Sequence, residues 1–439
     1  MVAAALNWRK ITDDLSFAVG ATLFHKVISY IVIVLLARYL HKDDIGAFFL
    51  AASLASIASL ISELGTTRYL TREIAATPER ASVAIGEVLA LRLPVMTCAY
   101  AVLSIGVWLF YRDIWLAVSL SGVYVFLQSL FLSFSAVFLG LRKVRYRALV
   151  DVASQIFLIG LICVAVQWQV GLVGVLVCYI VANLFLIAMA GFTLVSRIGR
   201  PDIQWDFSTS RRVLRKSLPF FVLIALSILH FKIDTVMLGF MATLDAVARY
   251  EIAYKFLEVS RFIVRPAGMI FLPICTGLVI QQSWPELQSL VRRLLLGTAA
   301  LSIGLAVVVV AGADLIIEMV FGADYADSVP ILQVLFVSLP AVYLVFVGSV
   351  LANSLYLEKT LIRITCICLV VNVVANLYVI PRWGGLGAAW TTVATEALLA
   401  LMVVILIVRR LRLVVNREEL TPPAKRPYDQ IVEKTDAVS

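Results

Sequence analysis

Five charged residues, Glu251, Lys255, Glu258, Arg261 and Arg265, stand inside the apolar stretch 246–280, which is long enough to cross a bilayer. At about 100° per residue, Glu251, Lys255, Glu258 and Arg265 fall within roughly 80° of one another, and Arg261 widens the stripe by about 40°. A charge in hydrocarbon costs several kcal/mol unless it faces protein or water. A one-sided stripe of this kind predicts a polar cavity inside a helical bundle. Glu251–Lys255, Lys255–Glu258 and Glu258–Arg261 are also spaced to neutralise one another within the helix. Arg265 is then left over, and the planar forks of Arg261 and Arg265 suit a diphosphate.

Other spans add ionisable groups at depth. Lys26 lies about ten residues from either end of the first apolar run, too far in to snorkel easily. His25 beside it points about 100° away and reads as a proton carrier or as a satisfied core histidine. His230 and Asp234 are spaced i, i+4 and can touch, which makes a proton site or a structural hydrogen bond. Lys232 points elsewhere and adds positive charge. Glu396, about ten residues into the last apolar run, is a further candidate for ion coupling. Glu87 and Arg92 fall near the cytoplasmic end of the third run, placed to pair or to snorkel. Asn183, Asn372 and Asn376 read as hydrogen-bonding glue between helices.

The elements that must position these residues are membrane helices. The 439-residue chain is 62% hydrophobic and 15% charged, and its mean hydropathy is +0.98. That composition excludes a soluble globular protein of this size. Continuous apolar runs of about 20 residues exclude an alternating barrel pattern. The expected fold is all-α and polytopic. It has about twelve transmembrane helices: 17–40, 45–67, 83–109, 114–139, 148–168, 171–195, 218–241, 246–280, 294–320, 329–356, 361–381 and 386–408. Pro266 and Pro273 are expected to kink the over-long eighth. The first run starts near Phe17, is of full spanning length and lacks a small-residue cleavage site, so no cleavable signal is expected.

Lysines and arginines crowd the even-numbered loops and both tails, whereas the odd loops hold only Arg38, Lys42, Arg112, Arg249 and Arg382. By the positive-inside rule both termini are cytoplasmic, and the even span count agrees. The net charge of +9 is therefore a topology signal with anionic-lipid contact. It is scattered over every inner loop, which argues against a nucleic-acid partner. The longest inner connection, 196–217, ends in RRVLRKS, which reads as a basic interfacial helix leading into Pro219. The last residues are polar and contain prolines, and read as a cytoplasmic tail. All six cysteines (Cys98, Cys163, Cys178, Cys275, Cys366, Cys368) sit in apolar runs without metal spacing. No phosphate-binding loop, nucleophile elbow or paired metal-ligating histidines occurs, so neither a cofactor nor an enzyme is expected.

Three features recur in the same order in both halves. Asp43–Phe48 aligns with Asp245–Tyr250, Lys143 and Arg147 with Lys359 and Arg363, and Gly171–Gly174 with Gly384–Gly387. They indicate a duplicated six-span unit of parallel orientation. The domain reading is an N-lobe at 1–205, a C-lobe at 206–410 and a tail at 411–439.

In this layout the chain resembles the polysaccharide transporter family, the Wzx-type O-antigen and exopolysaccharide flippases of the multidrug/oligosaccharidyl-lipid/polysaccharide exporter superfamily. The matching pieces are Glu63–Ala75 at the exit of span two, Lys232–Gly239 with Val247–Tyr254 in spans seven and eight, Phe321–Tyr325 before span ten, and Gly384 through Glu396 in span twelve. The resemblance implies two six-helix lobes around a central cavity. It implies a flippase that carries an undecaprenyl-diphosphate-linked glycan from the inner to the outer leaflet of the bacterial inner membrane by alternating access, with coupling to a proton or sodium ion. Lys26, Lys232, Lys255, Arg261 and Arg265 would then bind substrate. His25, His230, Asp234, Glu251, Glu258 and Glu396 would be the ion-coupling candidates. Membrane lipids and the polymerase and chain-length proteins of the same pathway would be its partners. Twelve spans disfavour the lipid II flippase branch, which has fourteen, and span one lacks a clear mid-depth acid typical of drug antiporters. A cation-coupled multidrug exporter is the nearest rival, and a membrane polysaccharide polymerase or ligase, which needs a large outer loop, the more distant one.

Overall fold

The computed structural model describes residues 8–418. Within that range the side chains of residues 8–16, 18, 223, 265, 266, 269 and 412–418 lie outside the description. Among the described residues every regular element is a helix. The long ones in the first half are α1 (Trp8–Tyr39), α2 (Lys42–Glu63), α4 (Ala81–Phe110), α5 (Arg112–Gly140), α6 (Val144–Gln167) and α7 (Gly171–Arg197), and the short α3 (Thr66–Ala76) lies between α2 and α4. Then follow α8 (Phe207–Met241), α9 (Leu244–Ile280), α10 (Trp284–Ala311), α11 (Ala313–Phe321), α12 (Val329–Val337), α13 (Leu339–Ser354) and α14 (Glu358–Glu418). Among the described residues, ten helical segments are long and apolar enough to cross a membrane. The last of them, Glu358–Leu411, is divided at Gly384, whose φ of 53° and ψ of −134° leave helical geometry and suit a residue without Cβ.

Two compact units emerge. One comprises Met1–Val259, Leu305–Val337 and Leu369–Val393; the other comprises Ser260–Gly304, Ser338–Cys368 and Ala394–Ser439. In the first, Leu70, Ile74, Val88, Val137, Phe138 and Val213 form the centre of an apolar cluster. In the second, Cys275, Leu287, Val347, Leu351, Cys368 and Val403 do so. Lipid tails are as apolar as a leucine side chain, so close approach rather than water exclusion holds such helices together. The faces that α2 and α5 bury accordingly hold small residues, Ala47, Ala51, Ser53 and Ala55 on α2 and Ser121, Gly122, Ser129, Ser133 and Ala136 on α5.

Two details differ from the sequence reading. The span expected at 45–67 stops at Glu63. Leu64 and Gly65 both take positive φ, and the chain turns into the separate helix α3. A Cβ on Gly65 would stand 2.5 Å from Ser217 O and Phe221 N, so only glycine admits this approach to α8. The RRVLRKS segment is helical as expected, but it is continuous with the following span: α8 runs unbroken through Pro219 to Met241. Asp206 caps it, accepting hydrogen bonds from the Ser208 and Thr209 amides. The Ser208 hydroxyl and then Thr209 hold the Asp206 carboxyl well below the usual carboxylate range.

Candidate functional site

The short turn between α8 and α9 sets the two helices side by side, and their facing residues build the site. Lys232 on α8 lies 3.7 Å from Glu251 on α9, and Lys255 lies 3.7 Å from the other oxygen of Glu251. Lys255 also donates to Glu258 at 2.9 Å, and Glu258 reaches Lys26 of α1 at 3.5 Å. The result is an alternating chain, Lys26–Glu258–Lys255–Glu251–Lys232. Three cations against two anions leave it one positive charge in excess. Its two ends differ. Glu251 is wholly buried and also accepts from Thr235, whereas the Lys26 and Glu258 side chains are 49% and 41% exposed. Lys255 further lies 5.6 Å over the Phe49 ring. Lys26 of α1, Lys232 of α8 and the α9 stripe thus meet through alternating ion pairs, which include the internal Glu251–Lys255–Glu258 pairing.

One residue away on each helix the chemistry changes. Asp234 is buried and meets neutral donors: Asn376 Nδ2 at 2.7 Å, Thr392 Oγ1 at 3.1 Å and Tyr250 OH at 3.1 Å. Asn376 also donates to Asn372 at 3.2 Å. Its own carbonyl oxygen Oδ1 is buried and has no hydrogen-bond partner. The cage therefore presents a carboxylate and a threonine hydroxyl, with the Asn376 nitrogen turned toward the carboxylate and the Asn376 oxygen left without a partner.

The remaining expected residues fall elsewhere. His25 Nδ1 lies 3.2 Å from Asp151 Oδ1 of α6, a partner the sequence reading did not name although Asp151 is the one acid of that helix. Within the second unit Arg261 is buried and donates to Glu396 at 2.6 Å, so both belong to an ion pair distant in sequence that the spacing on α9 did not suggest. The side chain of Arg265 lies outside the described residues. The structure corrects the expectation that Arg92 pairs with Glu87 or snorkels. Arg92 is fully buried and donates to Ser133 Oγ at 2.8 Å, to Ser129 O at 2.9 Å, to Ser129 Oγ and to Thr67 Oγ1 at 3.4 Å. Glu87 instead receives Arg212 at 3.0 Å and Arg80 at 3.3 Å. Hydroxyls on α5 and α3 hold the guanidinium inside, and no helical-wheel argument on α4 alone could reveal them. Tyr250 and Thr392 were missed for the same reason.

A family model described as polysaccharide biosynthesis protein matches residues 11–279, more than half of the chain. The uncharacterized membrane protein MJ1068 of Methanocaldococcus jannaschii is 24% identical over 279 residues, 62% of this chain and 55% of that protein. The match thus spans about half the length of that curated relative. Among solved structures, an inward-facing multidrug resistance MATE family transporter of the MOP superfamily superposes with a TM-score of 0.76 at 15% identity, covering 90% of this chain and 96% of that one. The lipid II flippase MurJ in an inward closed conformation gives 0.67 at 14% identity, covering 90% and 87%. A MOP superfamily transporter from Pyrococcus furiosus, described as having a binding pocket of reverse polarity, gives 0.58 at 16% identity, covering 90% and 93%. At such identities the likeness is one of fold. The chain belongs to the polysaccharide biosynthesis protein family, and its fold is the helical transporter fold shared by MATE exporters and MurJ.

Proposed function

We propose that this chain is a flippase that moves an undecaprenyl-diphosphate-linked oligosaccharide from the cytoplasmic to the outer leaflet by alternating access of two six-helix lobes. The observation that carries this reading is the alternating chain from Lys26 to Lys232, with its surplus cation and its accessible end at Lys26. A diphosphate headgroup needs positive charge in a low-dielectric passage, where an unpaired anion is prohibitively costly. An anion arriving at Lys26 competes with Glu258 for it. Each pair in the chain can exchange partners without any charge being left alone, so binding and release bias the helices that carry them. The glycan and diphosphate pass through protein while the polyprenyl tail stays in lipid.

Coupling to a cation is assigned to the Asp234 cage. Its carboxylate and Thr392 Oγ1 would hold a sodium ion, joined by Asn376 Oδ1 if that amide turns over, or Asp234 alone would hold a proton. Such an ion supplies the positive charge that lets the buried carboxylate lose its amide and hydroxyl donors. Tyr250 ties this cage to the ion chain, because it precedes Glu251 on α9.

Reconstituted vesicles loaded with a fluorescent polyprenyl-diphosphate oligosaccharide test the assignment. Lys26→Glu changes the chain from three cations and two anions to two and three, a net −1 in place of +1, and transport is lost while Lys26→Arg retains it. Full transport by Lys26→Glu overturns the site. A deletion strain that keeps its surface polysaccharide and becomes sensitive to cationic drugs supports a multidrug exporter instead.

A further inference from the structure

The first sixteen residues of α8 form a surface that the transport reading does not use. One face of this segment is fixed to the protein. Val213 and Ser217 are wholly buried, Arg212 reaches Glu87 at 3.0 Å, and Lys216 lies 3.9 Å from Glu73 and 6.0 Å over the Tyr69 ring. Val213, Ser217, Arg212 and Lys216 span roughly 140° of the helix circumference. The opposite face carries Phe207, Arg211, Arg215, Leu218 and Val222, which fall within about 80° of one another. All five are exposed, Phe207 to 85%. Among the described residues no carboxylate lies within ion-pair distance of Arg211 or Arg215, although acids neutralise the cations flanking them.

The order along this stripe is aromatic, two cations, then two aliphatic residues. Counting back from Met241 at ~1.5 Å per residue, a hydrocarbon core of about 30 Å ends near Val222, which puts Arg215 roughly 10 Å and Arg211 roughly 16 Å beyond it along the helix, less with tilt. Val222 thus marks the core boundary, Leu218 lies among the headgroups, Arg215 at their outer margin and Arg211 about a Debye length from the phosphates, with Phe207 and Trp205 farther into water. The docked face stops the helix from rolling, so the cations stay turned outward.

We infer that the Phe207–Val222 face of α8 binds anionic phospholipid headgroups of the cytoplasmic leaflet through Arg211 and Arg215. The lipid fixes the interfacial lead-in of α8, the helix that further on carries Lys232 and Asp234. Charge complementarity selects this occupant: two forked donors with no acid of their own, set above aliphatic side chains that a soluble acidic peptide would leave uncovered.

The test uses the full-length chain in neutral detergent with equal amounts of phosphatidylglycerol and phosphatidylcholine, and native mass spectrometry reads the bound-lipid ratio. Wild type retains phosphatidylglycerol in preference, each cation contributing about fivefold, and 0.5 M salt lowers the preference as roughly expected for surface charge. Arg211→Gln/Arg215→Gln loses it, while Arg211→Lys/Arg215→Lys keeps most of it. An unchanged ratio in the double glutamine variant overturns the proposal, as does equal retention by wild type. If the glutamine variant does not fold, the salt series on wild type decides in the same way. Inorganic phosphate at lipid concentration leaves the ratio unaltered; if it abolishes the preference, the cations form a free-anion site and the lipid surface is wrong. Transport by Lys26→Glu is read separately, so failure here leaves the flippase reading standing.

Discussion

Asp234 and Glu251 belong to neighbouring rungs of the same helix pair, yet they are stabilised in opposite ways. Glu251 sits between two lysines, with a threonine hydroxyl added. Asp234 accepts hydrogen bonds from a tyrosine, a threonine and an asparagine, neutral side chains, with His230 one turn away on the same helix as its titratable neighbour. The two rungs are linked by adjacency: residues 234 and 235 on α8 face 250 and 251 on α9. A carboxylate between fixed cations is committed, because it cannot lose its charge without leaving the Lys232 ammonium unpaired and Lys255 with Glu258 alone. A carboxylate held by neutral dipoles stays open to a cation that comes and goes. Buried acids on adjacent rungs can thus have different tasks when their partners' charges differ.

The largest expected effect breaks the committed rung. Glu251→Gln leaves Lys232 and Lys255 facing an amide and costs ~3–5 kcal/mol of stability, read from denaturant or thermal unfolding in detergent. Adding Lys232→Met restores charge balance and recovers most of the loss; equal destabilisation by the double variant would remove the pairing account. In the open rung, Thr392→Ala costs ~1–3 kcal/mol, the scale of an unsatisfied buried acceptor. Asp234→Asn leaves unfolding nearly unchanged but makes transport insensitive to sodium and proton gradients, and retained sensitivity would place coupling elsewhere.

Arg92 sharpens the contrast from the first half, since it is a buried cation held by hydroxyls and one backbone carbonyl. Arg92→Lys keeps the charge and forfeits the fork to Ser129 and Ser133, at a cost of about 2 kcal/mol in the same unfolding assay. A smaller loss than that of Lys26→Gln would show that the hydroxyl fork does not matter. Lys26→Gln has the smallest effect on stability, within about 1 kcal/mol, because its pair with Glu258 is half exposed. It nevertheless slows transport, since it removes the surplus charge.

Much of this was legible before any coordinates. The stripe on α9 follows from a periodicity every α-helix shares, and the i, i+3 and i, i+4 pairs among Glu251, Lys255 and Glu258 follow from the same spacing. Partners between helices were not legible. Asp151 stands 126 residues from His25, Glu396 stands 135 from Arg261, and Thr392 stands 158 from Asp234. The helical wheel says which way a side chain points and not what waits there. Arg92 shows the limit most plainly: its apolar context and nearby Glu87 argued for pairing or an escape to the surface, and serines from α5 reversed that outcome.

The chain's own order of residues determined a helical membrane protein, its apolar runs and the charged face of α9, because backbone hydrogen bonds in lipid must close within each helix and so tie facing direction to local sequence. Tertiary structure alone decided that Lys26 and Lys232 extend the α9 pairs into one chain, that Asp234 meets neutral donors and that Arg261 is given to Glu396. Those outcomes depend on which helices lie side by side, a matter of packing between small-residue faces that no single stretch of sequence encodes.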